Sequence, residues 1–457
     1  MKKRRFFCIC LILLFSALPF MQASASYNTL LEELEPRSDI ILLQSLEDGT
    51  IIFDKNIHRR TPPASLTKIV TAILTLENCT DLETMVAVPQ SVLDSLVNTG
   101  SSNAGLKAGE EVTVHDLLRC MLIPSANEAA GTLAYYISGG NIPLFVEKMN
   151  EFVLRLGCED THFTTPHGLD DPEQYTSAAD MAKIMNYALK STYSDIFTDI
   201  IGADSYTLPA SNMHEKERRI RTTNFLMNSG YKDYYCKYVT GGKTGSTSTA
   251  GKCVAATAYH SGYSYLCIVL AAPHDDIDQD GVDENGAFTD TKLLLEWVYK
   301  NIVCETVLSA SDVTAEVKVR LSSKTDHVAL VPREDVLAYV PAGVDDKSVL
   351  VKVAENTMPQ SVDAPIMKGE KIAEAAVYYA DQEIAHTDLV AAESVERNPI
   401  LYIGSLIQAF FRNTVVRIIF GVLALLIVAY IALTIHINRK KRRMRRRKKV
   451  VRMQDYQ

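Results

Sequence analysis

Pro62-Pro63-Ala64-Ser65-Leu66-Thr67-Lys68-Ile69-Val70-Thr71-Ala72 reads as the start of a helix, with prolines where a first turn tolerates them and an apolar face following. Residues three apart share a helix face, so Ser65 Oγ and Lys68 Nζ come within hydrogen-bonding reach of each other. A serine hydroxyl is a weak nucleophile until a neighbouring base takes its proton. Lysine serves as that base only when its pKa falls well below about 10.4, which needs burial or a second cation close by. Alone, S-x-x-K also describes many ordinary helix faces.

Two more elements give the spacing its meaning. Ser125-Ala126-Asn127, within Leu122–Ala130, supplies a second hydroxyl and a carboxamide for the same cleft. Lys243-Thr244-Gly245, followed by Ser246, precedes strand-like apolar residues, and its glycine permits close approach of the backbone to a ligand. S-x-x-K, a serine-x-asparagine triplet and K-T-G in this order resemble the signature of penicillin-binding proteins and class A β-lactamases.

Through PASLTKIVTA (63–72), LIPSANEAA (122–130), TTPHGLDD (164–171) and GGKTGSTSTAG (241–251) the chain resembles the serine D-alanyl-D-alanine carboxypeptidases, the low-molecular-mass penicillin-binding proteins of peptidase family S11. The resemblance runs from about Ser38 to Trp297 and more loosely beyond. It implies a penicillin-recognising, β-lactamase-like α/β (α+β) catalytic domain with a small all-β domain after it, acting on the D-Ala-D-Ala end of peptidoglycan stem peptides, with β-lactams as inhibitors and no cofactor. It makes Ser65 the nucleophile, Lys68 its base and Ser125 the relay of a proton to the leaving D-alanine. Asn127, Lys243, Thr244, Gly245 and Ser246 become the substrate-binding set. Lys243 and Thr244 attract the terminal carboxylate, while the Ser65 and Ser246 N–H groups meet the oxyanion.

The remaining sequence divides by pattern. MKKRR, the apolar run Phe6–Leu18 and Ala23-Ser24-Ala25 make residues 1–25 a secretory signal peptide. Residues 26–303 mix short apolar runs with amphipathic stretches. Phe145, Met149, Phe152, Val153 and Leu156 stripe one helix that stops at Gly157, Ser177 to Asp180 suggests a capping box, and Tyr263–Leu270 reads as a buried strand. Residues 304–395 alternate as a small β domain, 396–417 read as a connector, and 418–437 hold no Asp, Glu, Lys or Arg. At about 1.5 Å per residue that last run is roughly 30 Å long, enough for one membrane span. Ten Lys/Arg within Arg439–Lys449 then predict a cytoplasmic tail at 438–457, with the catalytic domain on the other side of the cell membrane.

Charge and cysteine usage narrow the function further. The net charge is −8, but Lys2–Arg5 contribute +4 and residues 439–457 contribute +10, so residues 6–438 carry −22. So acidic a body argues against nucleic acid as a partner. Of nine cysteines, Cys8 and Cys10 fall in the signal peptide; the odd seven remaining sit mostly in apolar contexts and read as buried thiols. Asp276, Asp278, Asp280 and Gly281 match positions 1, 3, 5 and 6 of a calcium loop, but Ala287 stands where its bidentate Glu belongs, so a solvated acidic loop is the preferred reading. His167 beside Asp170 and Asp171 invites a Ser-His-Asp reading, declined because S-x-x-K already supplies a base. Two other functions share the motifs. A β-lactamase is disfavoured because no E-x-x-L-N appears around Thr164–Tyr175, and a silent β-lactam or peptidoglycan sensor because every expected catalytic residue is present.

Overall fold

The computed structural model describes residues 34–275, 283–343, 348–379 and 382–454, so the signal-peptide stretch and the acidic loop of Asp276, Asp278 and Asp280 lie outside the described residues. The chain forms two compact units, one running to Cys304 and including Tyr339–Val344, the other made of Glu305–Ala338 and the residues from Asp345 onward.

In the first unit, β1 (Ile40–Ser45), β2 (Ile51–Lys55), β3 (Val239–Thr247), β4 (Gly251–His260) and β5 (Tyr263–Ala272) make one antiparallel sheet in the order β2-β1-β5-β4-β3. The central strands are apolar on both faces because both faces are covered. Ile40, Leu42, Leu266, Ile268 and Leu270 join the core shared with α1 (Lys68–Asn78), α2 (Val114–Leu122), α3 (Asn127–Ile137), α4 (Ile142–Arg155), α5 (Ala178–Lys190) and α6 (Ser194–Ile201). From the opposite face Cys267 meets Thr291 of α7 (Gly286–Asn301). The predicted stripe of α4 is buried at Phe145, Met149, Phe152 and Val153. At the start of α5 only half a capping box forms. Ser177 accepts from the Asp180 N–H, but the Asp180 carboxylate turns to the Asp160 N–H, Thr161 and Lys183.

In the second unit, β6 (Ala315–Arg320), β7 (His327–Pro332), β8 (Val349–Val353), β9 (Val362–Asp363), β10 (Lys371–Tyr379) and β11 (Gln382–Ala391) form a sheet ordered β8-β10-β11-β7-β6-β9. Alternation turns Val317, Val319, Val328, Leu330, Ala373 and Ala375 into its core. The stretch 396–417 differs from the connector expected of it: it contains α8 (Pro399–Arg412), opened by Asn398 Oδ1 accepting from the Ile400 and Leu401 N–H groups and by a proline in its first turn. After Asn413 comes α9 (Thr414–Gln454), whose first 31 residues, Thr414–Met444, are long and apolar enough to cross a membrane.

Candidate active site

Ser65 stands in a 3-10 turn, Ala64–Thr67, that runs into α1. Ala64 holds φ +48°, a left-handed conformation that costs a non-glycine residue about 1–2 kcal/mol. Residues Lys68 to Leu76 of α1 are all buried, so the helix runs through the core and carries Lys68 with it. The tight turn keeps Ser65 and Lys68 on one face, with Lys68 Nζ 2.8 Å from Ser65 Oγ.

The second wall is the turn between α2 and α3. Ser125 has φ +67°, again left-handed, and its C-terminal neighbour closes against α2 through the Ala126 N–H to the Cys120 carbonyl. Asn127 opens α3, its N–H bonded to the Ser102 carbonyl and its Oδ1 accepting from Lys68 at 2.6 Å. The third wall is β3, an edge strand of the sheet. Lys243 is almost fully buried and donates to Ser125 Oγ and to the Thr244 carbonyl, both at 2.8 Å. At Gly245 a side chain would be crowded: its Cβ would stand 3.0–3.2 Å from Ala64 Cβ, the Ser65 nitrogen and the Pro63 carbonyl. Glycine there lets the strand pass directly beside Ser65. Ser246 follows, exposed at the cleft.

The electrostatics follow from burial. Lys68 is held well below the ordinary lysine range, first by desolvation and then by the positive charge of Lys243, with Glu128 pulling the other way. Lys243 is pushed down to about 7 by burial. As an ammonium, Lys68 uses all three donors, on Ser65 Oγ, Asn127 Oδ1 and the His167 carbonyl. Once neutral it has a lone pair, and the Ser65 hydroxyl is the only one of these three partners that brings a proton to it.

Ser65, Lys68, Ser125, Asn127, Lys243, Thr244, Gly245 and Ser246 therefore gather at one cleft. The His167 imidazole is held in its neutral form. Burial, followed by the Lys68 charge, lowers its pKa to about 3, and Nδ1 accepts from the Leu169 N–H. What the sequence reading missed is the backbone of that residue, whose carbonyl takes the third Lys68 donor at 2.8 Å. Thr223, 2.5 Å from Thr244 Oγ1, was missed too, and Asp170, weighed only as a triad partner of His167, instead accepts from Thr247 Oγ1 at 2.6 Å. No spacing signals a main-chain acceptor, although the Pro166-His167-Gly168 turn marks where one forms.

Comparison with known proteins agrees with this geometry. The D-alanyl-D-alanine carboxypeptidase family model matches residues 27–274, and that of the penicillin-binding protein 5 C-terminal domain matches 305–397. The D-alanyl-D-alanine carboxypeptidase DacA of Haemophilus influenzae is 29% identical over 367 residues, covering 78% of this chain and 84% of that protein. DacF of Bacillus subtilis is 25% identical over 369 residues, 80% of this chain and 87% of that one. Penicillin-binding protein 5 from Haemophilus influenzae superimposes with a TM-score of 0.58 at 27% identity, covering 79% of this chain and 98% of that chain. With the Ser65 turn, the buried lysines and the edge strand all inside the first matched segment, the chain belongs to the D-alanyl-D-alanine carboxypeptidase family, peptidase family S11.

Proposed function

We propose that the protein is a membrane-anchored serine D,D-carboxypeptidase that removes the terminal D-alanine of peptidoglycan stem pentapeptides and is acylated by β-lactams. The observation carrying this reading is the buried Lys68 amine in hydrogen-bond contact with Ser65 Oγ. Ser65 attacks the carbonyl between the last two D-alanines while neutral Lys68 takes its proton, and the N–H groups of Ser65 and Ser246 hold the oxyanion. Collapse breaks the C–N bond, and the leaving amine receives its proton through Ser125. Lys243 and Thr244 bind the substrate carboxylate, and Asn127 orients Lys68 and the substrate amide. Water then attacks the acyl-enzyme, giving the tetrapeptide stem and free D-alanine. Release of D-alanine from a diacetyl-lysyl-D-alanyl-D-alanine peptide, with a covalent penicillin adduct in the intact mass, tests the reading; absence of both overturns it.

Two opposed titrations shape the pH profile. Lys68 acts when neutral, so activity climbs with pH through its depressed pKa. Lys243 binds the carboxylate when charged, so kcat/KM falls as pH rises past about 7, its free-enzyme value. We expect a bell whose alkaline limb comes from KM; a KM flat across about pH 6 to 9 sinks the role given to Lys243.

Anchoring is proposed through α9, with its basic end on the cytoplasmic side, and with the exposed Ile400, Ile403, Ile407 and Phe410 of α8 resting at the interface just before it. A chain ending at Asn398 is expected in the aqueous phase of a detergent partition and still acylated by penicillin, while the full chain enters the detergent phase. A full chain that stays aqueous overturns the anchor.

A further inference from the structure

Glu128 is a buried carboxylate that no step of the reaction above uses. It follows Asn127 in the first turn of α3 and is only 2% exposed. Its Oε1 accepts from the Ala104 N–H at 2.6 Å and, more weakly, from the Leu106 N–H at 3.5 Å. Its Oε2 is buried with no hydrogen-bond partner among the described residues. Leaving a buried acceptor dry costs stability that an apolar side chain of the same size would not cost, so filling the core is a poor account of a glutamate here.

The segment that Glu128 grips is the one that holds Asn127. The Ser102 carbonyl accepts from the Asn127 N–H at 2.9 Å, which satisfies one of the free donors at the start of α3. Asn127 in turn accepts from Lys68 through Oδ1 at 2.6 Å. Residues 102–106 belong to no helix or strand, so their place is set by what grips them. On one side Glu128 takes the Ala104 N–H. On the other, Arg218 Nη1 donates to the Ala104 and Gly105 carbonyls, at 3.3 and 2.9 Å. Arg218 is fixed by the fully buried Glu110, whose second oxygen accepts from the Lys107 N–H at 2.9 Å.

Charge adds a second link between Glu128 and the base. Lys68 has two opposed neighbours, the Lys243 cation and the Glu128 anion. His167 also faces Lys68, while Glu128 shares its surroundings with Cys120, Asp116, Arg218 and Glu110, and His214 stands beyond Glu110. We propose that Glu128 is a positioning residue for acylation: its carboxylate fixes the 102–106 segment as the brace of Asn127, and its negative charge balances Lys243 at Lys68. The assignment rests on the carboxypeptidase reading above and adds to it the group that keeps the base in place.

The test follows penicillin acylation of the full chain in detergent across pH. Glu128→Gln keeps an acceptor for the Ala104 N–H and removes the charge. It is expected to acylate within about 3-fold of wild type on the plateau while the acid limb moves down by about 0.5–1 pH unit, because Lys68 loses its proton more readily without the anion. Glu128→Ala removes the brace as well, and acylation is expected to slow by about 10- to 100-fold on the same plateau. A role confined to core packing would change the melting temperature and leave the limb where it was. An unmoved acid limb in Glu128→Gln, or wild-type acylation in Glu128→Ala, overturns the assignment and leaves the carboxypeptidase reading standing. No adduct on wild type ends both. If neither variant folds, amide hydrogen exchange on wild type decides. The Ala104 and Asn127 N–H groups are expected to be protected alike, and free exchange at Ala104 beside a protected Asn127 overturns the brace.

Discussion

Ser65→Ala is expected to form no covalent adduct with benzylpenicillin and to release D-alanine from acyl-D-alanyl-D-alanine peptides at least about 10⁴-fold more slowly than wild type. Every later step depends on the bond that Ser65 makes, so no other side chain in the cleft compensates. Ser125 brings a second hydroxyl to the cleft, but its oxygen accepts from Lys243, and Lys68 donates instead to Ser65, Asn127 and the His167 carbonyl. Intact-mass spectrometry of both proteins after an hour with the drug checks this. An adduct on the variant would move the nucleophile elsewhere. The fold should be unharmed, because Ser65 is half-buried and its hydroxyl bonds only to Lys68 among the described residues.

The second large effect is expected far from any motif side chain. Gly168 has φ +89°, and a Cβ there would collide with the Ala64 carbonyl group and come within 2.8 Å of Thr67 Oγ1. Both obstacles belong to the nucleophile turn, and one is backbone, so neither swings aside. Gly168→Ala should therefore push the 165–169 turn outward and carry the His167 carbonyl away from Lys68. We expect a loss of about 3 kcal/mol, roughly 6–12 °C in Tm, with acylation slowed by more than about 100-fold. Gly157→Ala is the control: its φ is also positive, at +72°, but open space surrounds it. The strain alone should cost about 1 kcal/mol there and leave acylation unchanged. Equal melting losses in the two variants would refute the steric account.

These two positions mark where sequence reading succeeds and where it stops. That Ser65, Lys68, Ser125, Asn127 and Lys243 come together was legible because motif order and spacing carry it, and a helical i, i+3 pair stays adjacent even when the turn tightens to 3-10. The third Lys68 partner is a carbonyl, and carbonyls are the same in every residue. The left-handed Ala64 and Ser125 were invisible for a related reason: glycine or asparagine advertises such a conformation, while alanine and serine adopt it only because the surrounding packing compels them. By contrast, α8 was legible and misread. Asn398 as cap, Pro399 in the first turn and apolar residues at 400, 403, 407 and 410 meet the usual helix criteria, but the stretch sat in the shadow of the longer apolar run beyond it.

The six buried thiols have a consequence for how the chain reaches its working form. Cys79, Cys120, Cys158, Cys236, Cys253 and Cys267 are all buried and unbridged, and burial pushes Cys158, Cys253 and Cys267 up to about 12. The reactive species is the thiolate, so in the finished protein Cys158, Cys253 and Cys267 are chemically silent. Before packing closes over them they have ordinary acidity, and export as expected from the leader would bring the chain to oxidants in that state. Completion of the core is then a race: molecules that close first retain inert thiols, and those that linger open become cross-linked into pairings that the native interior has no place for. Burial here protects the chain's covalent integrity as well as its fold, and it rewards quick collapse of the helices around α1.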